Sequence, residues 1–366
     1  MASNVQRTKS KIPFIPGTKP SAQNAQLLIS TGIPSLDHVI GGGLPVGSIL
    51  LIEEDTYNSY AKIMLKYFMA EGIVSSHSLL IASRDTKPTQ LLAELPAVAV
   101  SSSTKSKTQA TDEQMKIAWR YQNMKIVDAS PTGGQVFGRF YDLTKTMDSA
   151  DIEHADIIKW DGNDLKCKAE SFENNAYVDL LKTVQETLKH GQFLVSDNPE
   201  KRKILRIAIQ SLGSRLWLCN TEESTRCDLL KFLYCFRSLL RSSYAVATIT
   251  VPAQNFDNTD ALVERIEHLS DTAVRLESFA GSAKETNPIF RDYHGLLHIK
   301  KLSAFNTLAP HNPESTDLAF KLRRKKFVIE VLHLPPELDD TAQREQDDSS
   351  AIGSCGSGNS KKLLEF

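Results

Sequence analysis

The sequence predicts an α/β protein with a mostly parallel sheet flanked by helices and an antiparallel C-terminal extension. Three observations carry that expectation. Short continuous apolar runs, Ser48–Ile52 (S-I-L-L-I) and Ser78–Ser83 (S-L-L-I-A-S), have the length and content of strands buried on both faces. Between them Ser59–Glu71 has a helical period, so strand, helix and strand follow within about 35 residues and imply a right-handed parallel crossover. Towards the C-terminus strand-like runs succeed one another with no helical pattern between them.

Taken in order, residues 1–26 are rich in Lys, Ser, Pro, Asn and Gln without an apolar period, and are expected to form a disordered N-terminal arm. Pro34 suits a first helical turn; Leu36, Val39 and Ile40 supply an apolar stripe, and Gly41 ends the turn. In the Ser59–Glu71 helix Ile63, Met64, Tyr67 and Phe68 share one face, and Gly72 is expected to close it. Leu91–Leu95 reads as a helical turn. Residues 96–112, Ser/Thr/Lys-rich, and 148–173, acidic and irregular, are expected as disordered insertions. Met124–Asp128 (M-K-I-V-D) between them reads as a third strand, followed by the turn-rich Ser130–Gly138. Tyr177, Leu180, Leu181, Val184 and Leu188 mark a helix. Lys203–Leu212 is a fourth strand, Leu229 to Leu240 the most amphipathic helix, and Ala245–Val251 a fifth, β-branched strand ending at Pro252. A helix through Leu262, Ile266 and Leu269 follows. Ala273–Leu276, His294–Leu302 and Lys326–His333 then read as the antiparallel extension. Residues 27–335 form one domain on this reading, and 336–366, acidic then Gly/Ser-rich, a disordered tail.

Composition narrows the function classes. The chain has 366 residues, 41% hydrophobic and 24% charged, with a formal net charge of −1. No global field draws it to nucleic acid or anionic lipid, so such binding must rest on local patches. Its apolar runs are strand-sized, well short of the ~20 residues that cross a bilayer, and no membrane partner is expected. The first eleven residues, basic and polar, lack the apolar centre of a secretion signal. Five cysteines with no C-x-x-C pair fit a reducing compartment, and no zinc-like ligand spacing occurs.

Ser30–Asp55 (S-T-G-I-P-S-L-D-H-V-I-G-G-G-L-P-V-G-S-I-L-L-I-E-E-D) resembles the approach to the phosphate loop of a RecA-like core in the P-loop NTPase superfamily. A phosphate loop works because small residues let several backbone N–H groups converge on phosphate, with a Lys charge and a Ser/Thr ligand for Mg²⁺. Here the strand is followed by Glu53-Glu54-Asp55-Thr56-Tyr57-Asn58-Ser59-Tyr60-Ala61, and the whole chain lacks a Gly-Lys dipeptide. With strand ends matched, Tyr60 replaces the Lys and Ala61 the Ser/Thr. Glu53, Glu54 and Asp55 stand where phosphate would arrive and would repel it. Lys62, one position late, is expected to face solvent. Gln210 occupies the place of the carboxylate that holds Mg²⁺ through water, and an amide supplies no charge there. Asp85 stands where a water-orienting carboxylate would, but also suits a cap or a solvated loop. The loop is degenerate, and the residues favour a structural role for the fold.

The match narrows further. L-I-S-T-G-I-P-S-L-D-H-V-I-G-G-G-L-P-V-G-S, A-E-G-I, I-A-I-Q-S-L-G-S-R-L-W at Ile207–Trp217 and H-G-L-L-H-I-K-K-L at His294–Leu302 are similar to the PAXNEB family, the fourth subunit of the Elongator complex. The resemblance implies a non-catalytic accessory subunit. It would join two homologous RecA-like subunits, two copies of each, in a hetero-hexameric ring that binds tRNA. The ring would assist the catalytic Elongator subcomplex in modifying wobble uridine 34, in the cytoplasm and nucleus. No cofactor is expected in this chain itself, with ATP left to inter-subunit sites of the ring. Arg84, Arg139, Arg215 or Arg226 are candidates to reach a neighbour's site, although an ordinary surface or interface ion pair is the favoured reading of each. Candidate RNA contacts are Arg215, Gln254 and Asn255 in loops after two strands, and the basic clusters holding Lys201, Arg202, Arg323 and Arg324. The alternative is a free-standing ATPase or recombinase-like enzyme with a non-standard nucleotide loop.

Overall fold

The computed structural model describes residues 15–21, 24, 26–99, 137–163, 165, 167–218, 221–256, 261–323 and 325–332. Strands β1 (Thr18–Pro20), β2 (Leu27–Ile29) and β3 (Leu44–Pro45) form a small antiparallel sheet, with α1 (Pro34–Val39) between the last two. Then come β4 (Ile49–Glu53), α2 (Ser59–Val74), β5 (Ser78–Ser83) and α3 (Pro88–Ala93). Strands β6 (Pro96–Val98) and β7 (Tyr141–Thr146) pair with each other, and α4 (Ser149–His154) leads to β8 (Ile157–Trp160). Next are α5 (Asn175–His190), β9 (Leu205–Gln210), α6 (Glu222–Arg241), β10 (Ala245–Val251) and α7 (Leu262–Leu269). The chain continues with β11 (Thr272–Ser278), β12 (Gly295–Lys301), β13 (Leu318–Arg323) and β14 (Lys326–Val331).

The main sheet has nine strands in the order β14-β13-β12-β11-β4-β10-β9-β5-β8. Its six strands from β11 to β8 are parallel and its three outer strands antiparallel, so the α/β, RecA-like fold class holds. Alternation along each strand builds two cores. Leu50, Ile52, Leu79 and Ile81 pack against Met64, Leu65 and Phe68 of α2. Ile49, Leu51, Leu80 and Ile207 pack against Tyr177 and Leu180 of α5 and Phe232 and Phe236 of α6. With period two, a slip of one residue would exchange the faces, so burial on both sides fixes the register.

Several expectations are corrected. The N-terminal arm is ordered before residue 26: Ile15 is fully buried and β1 pairs with β2, because a single buried Ile and three backbone pairs need no long apolar pattern. The 148–173 stretch is largely built. Asp148 caps α4 by accepting from the Ala150 N–H (3.2 Å), and β8 extends the parallel sheet beside β5. Trp160 is buried there and donates from Nε1 to Asp179 Oδ2 (2.9 Å). An edge strand needs only one neighbour, so four residues suffice amid acidic surroundings. Pro96–Val98, placed in the first insertion, is β6; residues 100–112, Met124–Asp128, most of Ser130–Gly138 and 336–366 lie outside the described residues. Gly72 does not close its helix, which runs on to Val74. A Cβ at Gly72 would stand 2.7 Å from Arg206 Cδ, so the glycine admits a neighbour's side chain. Finally, β11 joins β4 in parallel, and the antiparallel extension begins at β12 and gains β13.

Candidate functional site

Ligands of open α/β sheets bind beyond the carboxyl ends of the parallel strands. There, past β4, β5, β9 and β10, lies a cleft of about 460 Å³ whose walls include Glu54, Asp55, Tyr57, Asn58, Asp85, Gln210, Ser211, Ser214 and Gln254.

The strand-to-helix turn at its floor explains what became of the phosphate loop. The first N–H groups of a helix have no partner within it, and the helix dipole adds positive charge at that end. In α2 one carboxylate takes them: Asp55 accepts from Ser59 N–H on Oδ2 (3.0 Å) and from Tyr60 and Ala61 N–H on Oδ1 (2.9 and 3.1 Å). Asp55 is 3% exposed. The carboxylate read from the sequence as a repellent is the resident anion of the site. Asn58 permits the tight turn with φ of 50°. Tyr60 does not extend towards the cleft as a phosphate-binding Lys would. Its ring packs on Phe320 at 4.7 Å between centroids and near Phe327, tying the turn to β13 and β14, while Ala61 is fully buried. Lys62 borders the cleft, yet its ammonium lies 3.6 Å from Glu94, so it is not the free solvent-facing cation expected.

Above the floor, Glu54 Oε1 accepts from the hydroxyls of Ser211 (2.8 Å) and Thr250 (2.6 Å), joining β4, β9 and β10. Burial pushes the Glu54 carboxyl up to about 7. Ser211 sits at φ of 48° and also accepts from Asn58 Nδ2 (2.9 Å), so two residues in the left-handed region face each other across the turn. Gln210 Oε1 accepts from Ser83 Oγ (3.0 Å), and Asp85 Oδ1 from Ser214 Oγ (2.9 Å), with burial raising the Asp85 carboxyl. Thr56 accepts from Gln254 Nε2 (3.2 Å). Glu53 points to the opposite face, where burial and the neighbouring Glu267 push its carboxyl up to about 8, with Arg275 Nε 3.9 Å away. The arrangement leaves none of the Ser59, Tyr60 and Ala61 N–H groups free for phosphate and puts an uncharged amide, Gln210, at the end of β9. Among the described residues, no group of three or more His, Cys, Asp or Glu side chains is placed to hold a metal ion.

The RNA candidates are not brought together. Arg215, Gln254 and Asn255 are exposed near the cleft, whereas Lys201 and Arg202 precede β9, at the opposite, amino end of the parallel strands. Arg202 donates to the carbonyls of Leu194 (3.3 Å) and Asp197 and lies 4.3 Å over the Tyr244 ring, a structural assignment its neighbours in sequence did not signal. Arg323, at the β13–β14 hairpin, lies 3.7 Å from Glu330, and Lys325 lies 3.5 Å from Asp142. Lys321 in the same run is buried against Glu330. The run forms a hairpin in which Arg323 and Lys325 stay largely exposed beside their acidic partners; Arg324 lies outside the described residues. Of the candidate fingers, Arg84 lies over Trp217 (5.6 Å) and Arg139 pairs with Glu71 (3.1 Å). Arg226 is held in α6. Thr250, Ser211 and Asn58 were missed: hydroxyls and amides ending strands carry no pattern of their own until register brings them together.

Comparison with known proteins follows the same direction. The model of the PAXNEB protein family matches residues 11–366. Elongator complex protein 4 of Danio rerio is 43% identical over 379 residues, which cover 99% of this chain and 95% of that protein. Elongator complex protein 4 of Homo sapiens is 42% identical over 394 residues, covering 100% and 92%. Among solved structures, a KaiC-like protein of the archaeon Pyrococcus horikoshii aligns with a TM-score of 0.46 at 14% identity, covering 83% of this chain and 99% of that one.

Proposed function

The chain belongs to the PAXNEB protein family, and we propose that it is a non-catalytic subunit of the Elongator complex. In this reading it assembles with two homologous RecA-like subunits, two copies of each, into a ring that binds tRNA. The ring supports modification of wobble uridine 34 by the catalytic Elongator subcomplex, in cytoplasm and nucleus. The names of the relatives support membership of the complex. The observation that carries the non-catalytic part is Asp55, which holds the α2 N–H groups that a nucleotide's phosphate would need. ATP, where it acts, belongs to inter-subunit sites whose phosphate-binding loop another subunit supplies.

Co-expression of this chain with its two homologues, followed by native mass measurement, tests the assembly, with a six-subunit particle as the expected result. A stable monomer that never co-purifies with them would sink it. The RNA part is tested by tRNA band shift at rising salt, where the assembled ring is expected to bind with salt-dependent affinity. Titration of the isolated chain with MgATP is expected to show no binding. Tight, Mg²⁺-dependent binding would favour the free-standing ATPase instead.

A further inference from the structure

The outer antiparallel edge of the sheet carries positive charge in excess of what its own carboxylates neutralise. Leu143 of β7 donates its N–H to the Lys325 carbonyl (2.8 Å), so β7 lies against the β13–β14 hairpin. Five cations, Lys145, Lys321, Arg323, Lys325 and Lys326, stand on these strands and their turn, and the ion pairs they make reach two carboxylates, Asp142 and Glu330. Three positive charges are left over, in a chain whose formal net charge is −1. Glu330 is held by the buried Lys321 and lies 3.7 Å from Arg323, and Asp142 already accepts from Thr144. Lys145 and Lys326 have no acidic partner among the described residues. A separate observation is apolar. The Phe140 ring, next to β7, is 47% exposed and carries the Lys326 ammonium 4.6 Å from its centre.

The balancing charge stands in the sequence directly after this edge. Glu337–Asp348 (E-L-D-D-T-A-Q-R-E-Q-D-D) holds six carboxylates against one arginine. We propose that this acidic segment of the chain docks on the basic surface formed by β7 and the β13–β14 hairpin. Its carboxylates face Lys145, Arg323, Lys325 and Lys326, and Leu338, set among them, covers the exposed Phe140 ring. Chain length allows the contact. Six residues separate Lys326 from Leu332 along β14, about 20 Å at the rise of a strand, and six more reach Leu338, about 20 Å when extended. Residues 339–348 then have length to spare. Each exposed ion pair contributes little alone, but a tethered partner acts at an effective concentration of about millimolar, which offsets that weakness. The segment thereby screens the basic surface from free polyanions. This inference goes beyond the subunit reading and does not depend on it.

The test uses the full-length chain. Carbodiimide joins a lysine amine to a carboxylate that touches it, and mass spectrometry identifies the linked peptides. Cross-links from Glu337–Asp348 to Lys145, Lys325 and Lys326 are expected, at a yield independent of protein concentration. They should fade as screening shortens from ~10 Å at 0.1 M to ~3 Å at 1 M salt. Lys182 and Lys189, exposed on α5, are the control positions and should link rarely. Heparin binding supplies a second readout. A full-length variant with the six carboxylates of the segment replaced by amides should bind heparin about fivefold more tightly at low salt. Adding Lys325→Gln/Lys326→Gln should abolish that gain, and adding Lys182→Gln/Lys189→Gln should leave it. Cross-links to Lys182 and Lys189 as frequent as those to the hairpin, cross-links formed only between chains, or a heparin gain indifferent to Lys325→Gln/Lys326→Gln would each overturn the docking. The cross-link map needs no substitution, so the test stands even where a variant disturbs the hairpin.

Discussion

Two buried polar networks sit at opposite ends of the parallel strands, one enclosed in the core and the other in the wall of the cleft. At the amino ends Arg206 of β9 is fully buried; it donates from Nε to His77 Nδ1 (3.0 Å) and from one terminal nitrogen to the carbonyls of Ser30 (2.9 Å) and Phe68 (3.2 Å). His77 in turn bonds the Pro16 carbonyl (2.8 Å), Glu71 accepts from Tyr141 (2.7 Å) and Arg139, and Asp37 accepts from Thr31. This network staples α2, the small N-terminal sheet and the start of β7 to the main sheet. At the carboxyl ends the network around Glu54 joins the ends of β4, β9 and β10 to the turn before α2 and lines the cleft. The enclosed network keeps one unpaired group, the second terminal nitrogen of Arg206; what sets it apart is a charge held inside the core, where it specifies structure, while the other network borders open space.

The contrast can be broken by substitution, and the largest effect is expected at the closed network. Arg206→Met leaves His77 and two carbonyls without their donor and removes the charge facing Glu71 and Asp37. It should cost about 3–5 kcal/mol of unfolding free energy in denaturant titration. Gly72→Ala forces a methyl within 2.7 Å of the same side chain, which is held at both ends, and should cost about 1–3 kcal/mol. At the open end the effects are smaller. Asp55→Ala frees three helix N–H groups and should cost about 1–2 kcal/mol, measured the same way, without restoring MgATP binding, because Tyr60 and Gln210 remain. A variant that bound MgATP would show that Asp55 alone keeps nucleotide out.

A further effect is one of pH. Glu53 titrates at about 8 in the fold against an ordinary 4.5, so the fold prefers its protonated form. Its contribution is present in full below about 4.5 and is lost as pH rises through about 8. Glu53→Gln removes that dependence. The melting temperature of the variant relative to the wild type should therefore climb by a few degrees between pH 5 and 8.5, and a flat difference would show that Glu53 ionises freely.

Much of the architecture was legible. β4, β5, β9 and β10, α2, α5, α6 and α7 all announce themselves, because elements that bury whole faces need long apolar patterns. The exceptions share a cause. β8 has four residues at a sheet edge, and β13 (L-A-F-K-L-R) carries a buried lysine whose partner, Glu330, lies on another strand. In each case a pairing distant in sequence stabilises a segment that looks polar in isolation. The site was half legible. The departure from a phosphate loop's residue types could be read at Tyr60, Ala61 and Gln210, but not the capture of the helix terminus by Asp55, since charge alone does not reveal whether a carboxylate guards a site or fills it.

That capture has a consequence for how the subunit behaves over time. A phosphate diffusing into the turn competes with a carboxylate tethered a few residues away, whose effective concentration on the scale of short linkers is about millimolar or higher. The strand-to-helix turn is therefore permanently in its liganded state. Whatever occupies the cleft above it, the start of α2 keeps the same partner, so the shape of the turn is set from within the chain.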